Sequence, residues 1–308
     1  MNGARQGTDG RLFGGVELGG TKCLAVVGTG PDDLRADVRV PTTAPGETLD
    51  ALVRFFQAAQ QAHGALAAIG IGSFGPVDLD PASPRFGCIT TTPKPGWAGT
   101  DVAGAFRSAL AVPVAFDTDV NAAAVGEWRH GAGQDLDTVL YLTVGTGIGG
   151  GAVVGGRPLH GLLHPEMGHI RIPHDPVADP FPGVCPYHGD CLEGLASGTA
   201  MAARWGQPAE ALPADHPAWA LEAHHLATAL QSFVCTLSPQ RIVMGGGVMS
   251  APGLLPLVRR QLGVLLNGYV QAPMLRHAMD RYVVAPALGG RSGVVGAMVL
   301  AAAAESGS

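Results

Sequence analysis

Apolar positions along this chain fall into short unbroken runs that end on glycine, alternating with longer stretches of helical period. Runs at residues 12–17 and 23–27 flank Leu18-Gly19-Gly20-Thr21-Lys22, which predicts a strand, a turn stripped of side chains and a return strand. Residues 48–63 put Leu49, Leu52, Val53 and Phe56 on one helical face, with Gly64 as the stop. A strand at 68–71 then runs into Gly72-Ser73-Phe74-Gly75-Pro76, and a helix near 102–110 and a strand at 112–116 follow. That strand delivers Asp117-Thr118-Asp119-Val120-Asn121 to the start of a helix over 121–129. The opening device then returns: a strand at 138–144, the bare turn Gly145-Thr146-Gly147, and a strand at 148–154. A helix over 217–237, a strand at 241–244 ending in Gly245-Gly246-Gly247 before a further helix, a strand at 282–285 and an Ala-rich helix over 290–304 complete the pattern.

Two such hairpins, one early in each half, predict a duplicated α/β architecture of two lobes. The polar, Gly-rich residues 1–11 read as a disordered start. Residues 12–128 read as the first lobe, which the terminal helix (290–308) rejoins, and 129–289 as the second lobe, carrying a loop at 164–193. Charge narrows the partners: a net −6 without any run of Lys or Arg argues against a nucleic-acid surface. The apolar runs are broken well short of a membrane span and no signal core follows the start, so a membrane is not expected either. The 5 cysteines are too few and too scattered for a disulfide framework, which points to the cytoplasm.

The densest chemistry lies between His164 and Glu193. Cys185, His188 and Cys191 form a C-x2-H-x2-C knuckle, and His169 lies far enough upstream to close a loop on it. Four such donors suit a tetrahedral Zn²⁺, and with every position taken by protein the metal is structural. Glu166 and Glu193 bracket this loop and could hold neighbouring hydroxyls of a polyol. The three glycine turns after apolar strands let backbone amides approach phosphate oxygens, with Thr21 and Thr146 adding hydroxyl donors. Gly15-x4-Gly20 nearly matches a phosphate-binding P-loop, but Thr21 and Lys22 come in reverse order and feed a strand, not a helix. Glu17, just before the first turn, could hold Mg²⁺ through water. Asp119 is the best-placed general base, although an Asp there could simply cap the helix that follows.

These motifs together resemble the ROK family of repressors and sugar kinases. The resemblance runs from Leu12 nearly to the end: the Glu17-x-Gly-Gly-Thr21 turn, Ser73-Phe-Gly-Pro76, Asp117-Thr-Asp-Val-Asn121, Gly145-Thr-Gly-Ile-Gly-Gly-Gly151, Glu166-Met-Gly-His169, the Cys185–Glu193 knuckle and Gly245-Gly-Gly247. It implies a two-lobed actin/hexokinase-type α/β fold with a ribonuclease-H-like core in each lobe and the zinc loop in the second. It implies Asp119 as catalytic base, with Glu166, His169 and Glu193 as sugar ligands and Gly75, Pro76, Gly96, Trp97 and Thr118 beside the substrate. On the nucleotide side it implies Glu17, Gly19, Gly20, Thr21, Lys22, Gly145, Thr146 and Gly147 near the phosphates of Mg²⁺-bound ATP, and Gly245, Gly246 and Gly247 near adenosine. Glu17, Thr118 and His188 stand where the glucokinase pattern has Asp, Asn and Cys. With Thr92-Pro-Lys-Pro-Gly-Trp97 these departures resemble the bacterial fructokinase branch, so fructose is the expected hexose, with glucose and mannose secondary. A homodimer is expected. A repressor is not, because the first strand at Leu12 leaves no room for a winged helix ahead of it.

Overall fold

A computed structural model describes residues 10–306. Most of the start read above as disordered lies outside the described residues. In chain order the elements begin with β1 (Leu12–Leu18), β2 (Lys22–Gly30), β3 (Asp33–Pro41), α1 (Pro45–His63), β4 (Leu66–Ser73), α2 (Val102–Leu110), β5 (Val114–Thr118) and α3 (Asp119–His130). They continue with β6 (Thr138–Val144), β7 (Ile148–Val154), β8 (Arg157–Pro158), α4 (Leu192–Ala196), α5 (Gly198–Trp205) and α6 (Ala218–Leu237). The last are β9 (Arg241–Gly245), α7 (Leu254–Leu266), α8 (Pro273–His277), α9 (Met279–Tyr282), β10 (Val283–Val284) and α10 (Ser292–Ser306). No described helix is long and apolar enough to cross a membrane.

The chain divides into two compact units. The first takes the residues up to Gly131, Pro158–His164 and the chain from Arg291 on; the second takes Ala132–Arg157 and Pro165–Gly290. Each has one five-stranded sheet, in the orders β3-β2-β1-β4-β5 and β10-β9-β6-β7-β8. Pro158–His164 was expected with the second lobe. Contacts to the first unit hold it instead: His160 pairs with Asp117, and His164 accepts the Val77 N–H at 3.0 Å.

In the first sheet β1 pairs antiparallel with β2, while β4 and β5 run parallel to β1 and to each other. Register puts Glu17 opposite Gly72, and Gly72 opposite Asp117, so three strand ends lie in one row. β3 is an edge strand that the sequence reading passed over. Its residues alternate between half-buried apolar and exposed charged positions, and edge charges of this kind discourage pairing with a further strand. The core beneath the sheet gathers Phe56, Phe106 and Trp97, all with no exposed surface.

α10 is close-packed against α3 and against β1 and β4. A Cβ placed on Gly296 would lie 1.6 Å from the Ala122 carbonyl oxygen, and one on Gly126 would lie 2.3 Å from that of Ser292. The two helices therefore touch backbone to backbone, which only glycine at these positions permits. Beside this contact, Ser292 donates its hydroxyl to the buried Glu127 at 2.7 Å. Gly296→Ala should lower the thermal midpoint, with a loss of about 1–3 kcal/mol or more in denaturant unfolding, the usual range for an overpacked interior. Wild-type stability in that variant would mean that α3 and α10 are not in backbone contact.

Candidate functional site

In the first unit the chemistry collects where β5 passes into α3. Thr118, not Asp119, caps this helix: its hydroxyl accepts the Asn121 N–H at 3.1 Å. Asp117, 2% exposed, accepts the Thr118 N–H at 2.7 Å and the Asn121 side-chain amide at 2.8 Å on one oxygen. Its other oxygen lies 2.9 Å from Nε2 of His160, and this hydrogen bond raises the pKa of the imidazole. With capping assigned to its neighbours, Asp119 accepts the Val120 N–H at 2.9 Å from within the first turn of α3. Burial pushes its carboxyl up to about 6. A carboxylate that titrates near neutrality at the carboxyl end of a parallel strand is equipped to exchange a proton with a bound hydroxyl.

Glu17 ends β1 in the same row. Its carboxylate accepts a hydrogen bond from the Val294 N–H at the start of α10, and its Cδ would lie 2.6 Å from a Cβ placed on Gly293. Burial first, and then the charge of Asp119, push it up to about 7. A divalent cation would relieve a carboxyl whose ionisation is opposed by burial and by a neighbouring carboxylate, so Glu17 could hold Mg²⁺. The turn beyond it, Gly20-Thr21-Lys22, is exposed.

Gly75 and Pro76 follow β4, and the next backbone N–H, that of Val77, is held by His164. Gly96 lies in an exposed turn with φ +80. Trp97 is wholly buried: its ring packs edge-on to Phe74 at 5.3 Å, and its indole N–H donates to the Thr43 carbonyl at 2.8 Å. Thr118 is likewise buried, and its hydroxyl is taken up by the helix cap.

In the second unit the Gly145–Gly147 turn is pinned by the start of α5, where the Gly198 N–H donates to Gly145 at 2.7 Å and the Thr199 hydroxyl to Thr146 at 2.8 Å. Glu193, at the start of α4, accepts the Ile148 N–H at 2.9 Å and comes within 4.0 Å of His169. It thus joins the stretch that carries the candidate metal ligands to the end of the glycine turn, a contact that spacing alone does not reveal. Glu166 is exposed. Gly245 is buried against Tyr141 and Pro286, and Gly246 has φ +96 beneath the Val144 carbonyl. Of the three, only Gly247 faces open space.

The donors of His169, Cys185, His188 and Cys191 all lie within 4.8 Å of one another. Three of their separations are 3.5, 3.6 and 3.7 Å. A tetrahedron with Zn–S of about 2.3 Å and Zn–N of about 2.0 Å has edges of roughly 3.3–3.8 Å, so these three separations suit zinc and the four residues could hold the ion. Asp190, within the knuckle, is paired with Arg171 and His174. Nearby, Arg204 pairs with Asp179, stacks on Phe181 at 4.2 Å and donates to the Leu195 carbonyl at 3.3 Å.

The ROK family profile matches residues 13–304. A fructokinase of Zymomonas mobilis is 46% identical over 306 aligned residues, covering 97% of this chain and 99% of that protein. Among solved structures, a ROK hexokinase of Thermus thermophilus superposes with a TM-score of 0.76 at 30% identity, over 94% of this chain and 97% of its own. A ROK family glucokinase of Streptomyces griseus, solved with glucose and AMPPNP, gives a TM-score of 0.73 at 28% identity, over 94% of this chain and 99% of its own.

Two outcomes follow. Metal analysis should find one zinc per chain, and Cys191→Ala should lose it together with thermal stability, because a structural zinc site contributes folding energy directly. Zinc-free wild-type protein of full stability would remove the metal from the account. For Glu17 the sign is set by its raised pKa: the folded state holds its proton more tightly than the unfolded chain. Its contribution to stability is present below the ordinary glutamate range and is lost as pH rises through about 7. Glu17→Gln should therefore gain more stability over wild type at pH 8 than at pH 5; equal differences at both would place the carboxylate in solvent.

Proposed function

The chain belongs to the ROK family, and on that footing we propose that it is an ATP-dependent fructokinase that transfers the γ-phosphoryl group to O6 of D-fructose. The observation that carries the reading is Asp119: a carboxylate at a strand end, relieved of helix capping by Thr118 and titrating near 6. The branch assignment is supported by the fructokinase similarity over nearly the full chain and by Glu17, Thr118 and His188.

In this reading Asp119 accepts the proton of the sugar's primary hydroxyl as that oxygen attacks the γ-phosphorus in line and ADP departs. Glu166, His169 and Glu193 hold other hydroxyls of the sugar. The amides of Gly20 and Thr21, in the turn that begins at Gly19, and of Thr146 and Gly147, in the turn that begins at Gly145, receive the phosphate oxygens, with Lys22 adding charge, and Gly247 lies by the adenosine. Mg²⁺, held through Glu17, supplies charge neutralisation on the phosphates when bound. The zinc site is structural, fixing the loop from which His169 and Glu193 project. We further take the protein to be a cytoplasmic homodimer, the state the resemblance implies.

Asp119→Asn should lose about 10²–10⁴ in kcat, the usual worth of a general base, with its fold intact. Because the base acts ionised, kcat/KM of the wild type should rise with pH through about 6. Near-normal turnover in the Asn variant would move the base elsewhere.

A further inference from the structure

We propose that His160 is a positioning residue for Asp119: through the buried Asp117 it fixes the start of α3, and with it the direction of the proton-accepting carboxylate. The proposal rests on the reading of Asp119 as the base. Asp117 receives two hydrogen bonds on one oxygen, from the Thr118 N–H and the Asn121 amide, and the other oxygen faces His160 at 2.9 Å. Asp119 lies in sequence between those two donors. Asn121 has no exposed surface and its side-chain oxygen is unpartnered, so its side chain is held through Asp117.

Removal of His160 would leave one oxygen of a buried carboxylate without its partner, a costly state for a group cut off from water. Rotation of Asp117 towards solvent relieves that cost, but it pulls on both donors and so on the first turn of α3. His160 can impose this control because its segment is fastened a second time, four residues on, where His164 holds the backbone just past Gly75-Pro76. Unlike Asp117, His160 is itself 43% exposed, so its substitution disturbs no core packing.

The experiment compares His160→Leu and His160→Gln with the wild type for kcat, KM for fructose and thermal midpoint, with Asp119→Asn in parallel. His160→Leu should lose about 10–100-fold in kcat, the scale set by a misplacement of around 1 Å at a reacting group. Its KM should stay within about twofold, because no substrate contact is lost, and its midpoint should fall by a few degrees, the cost of the hydrogen bond that Asp117 loses. His160→Gln keeps an N–H donor that can reach Asp117 and should return kcat to within roughly threefold of wild type. Wild-type kcat in the Leu variant, an effect on KM alone, or equal losses in the Leu and Gln variants would each overturn the role. Normal turnover in Asp119→Asn would overturn the reading beneath it instead.

Discussion

The first unit depends on a backbone contact. α10 can lie against α3 and the sheet only because Gly296 and Gly126 leave nothing between one helix's peptide groups and the other's. Gly70 on β4 extends the same seam, since a Cβ there would lie 1.8 Å from the Ala297 carbonyl oxygen. The approach brings the α10 N-terminus to Glu17, whose carboxylate takes a hydrogen bond from its first turn. It also holds α3, whose first residue is Asp119. Glu17, whose ionisation the charge of Asp119 disfavours, is thus kept near that residue by packing that side chains larger than hydrogen would destroy.

The second unit is tied together by other contacts. Its glycine turn is held by the start of α5, and the stretch between Ile170 and Cys191 that carries the candidate metal ligands has no described helix or strand. A metal held by His169, Cys185, His188 and Cys191 would cross-link this stretch. Glu193 joins it to the turn by accepting the Ile148 N–H, and Arg204 grips both the loop at Asp179 and α4 at Leu195.

Much of this was legible from residue order. The strands of the second hairpin and α2 fall where periodicity put them, because uninterrupted apolar runs bounded by glycine have few alternatives. Boundaries moved where a polar residue continues a strand: β5 runs on through Asp117 and Thr118, since the ladder to β4 is made by the backbone whatever the side chains. β3 went unread although Leu34, Ala36, Val38 and Val40 alternate with charges, because the pattern of an edge strand is weaker than that of a buried one. The burial of Trp97 in the core with Phe56 and Phe106 depends on packing between distant elements that no local pattern records. The pairs His160–Asp117 and His164–Val77 are contacts across 43 and 87 residues, and nothing in the spacing of the partners announces them.

The central claim is a phosphoryl transfer to a particular hexose, and the most direct measurement is ADP release by the purified protein with Mg·ATP over fructose, glucose, mannose and N-acetylmannosamine. The account predicts the highest kcat/KM with fructose. A clear preference for glucose would contradict the assignment to the fructokinase branch, and no ADP release with any of the four would contradict the reading as a hexose kinase.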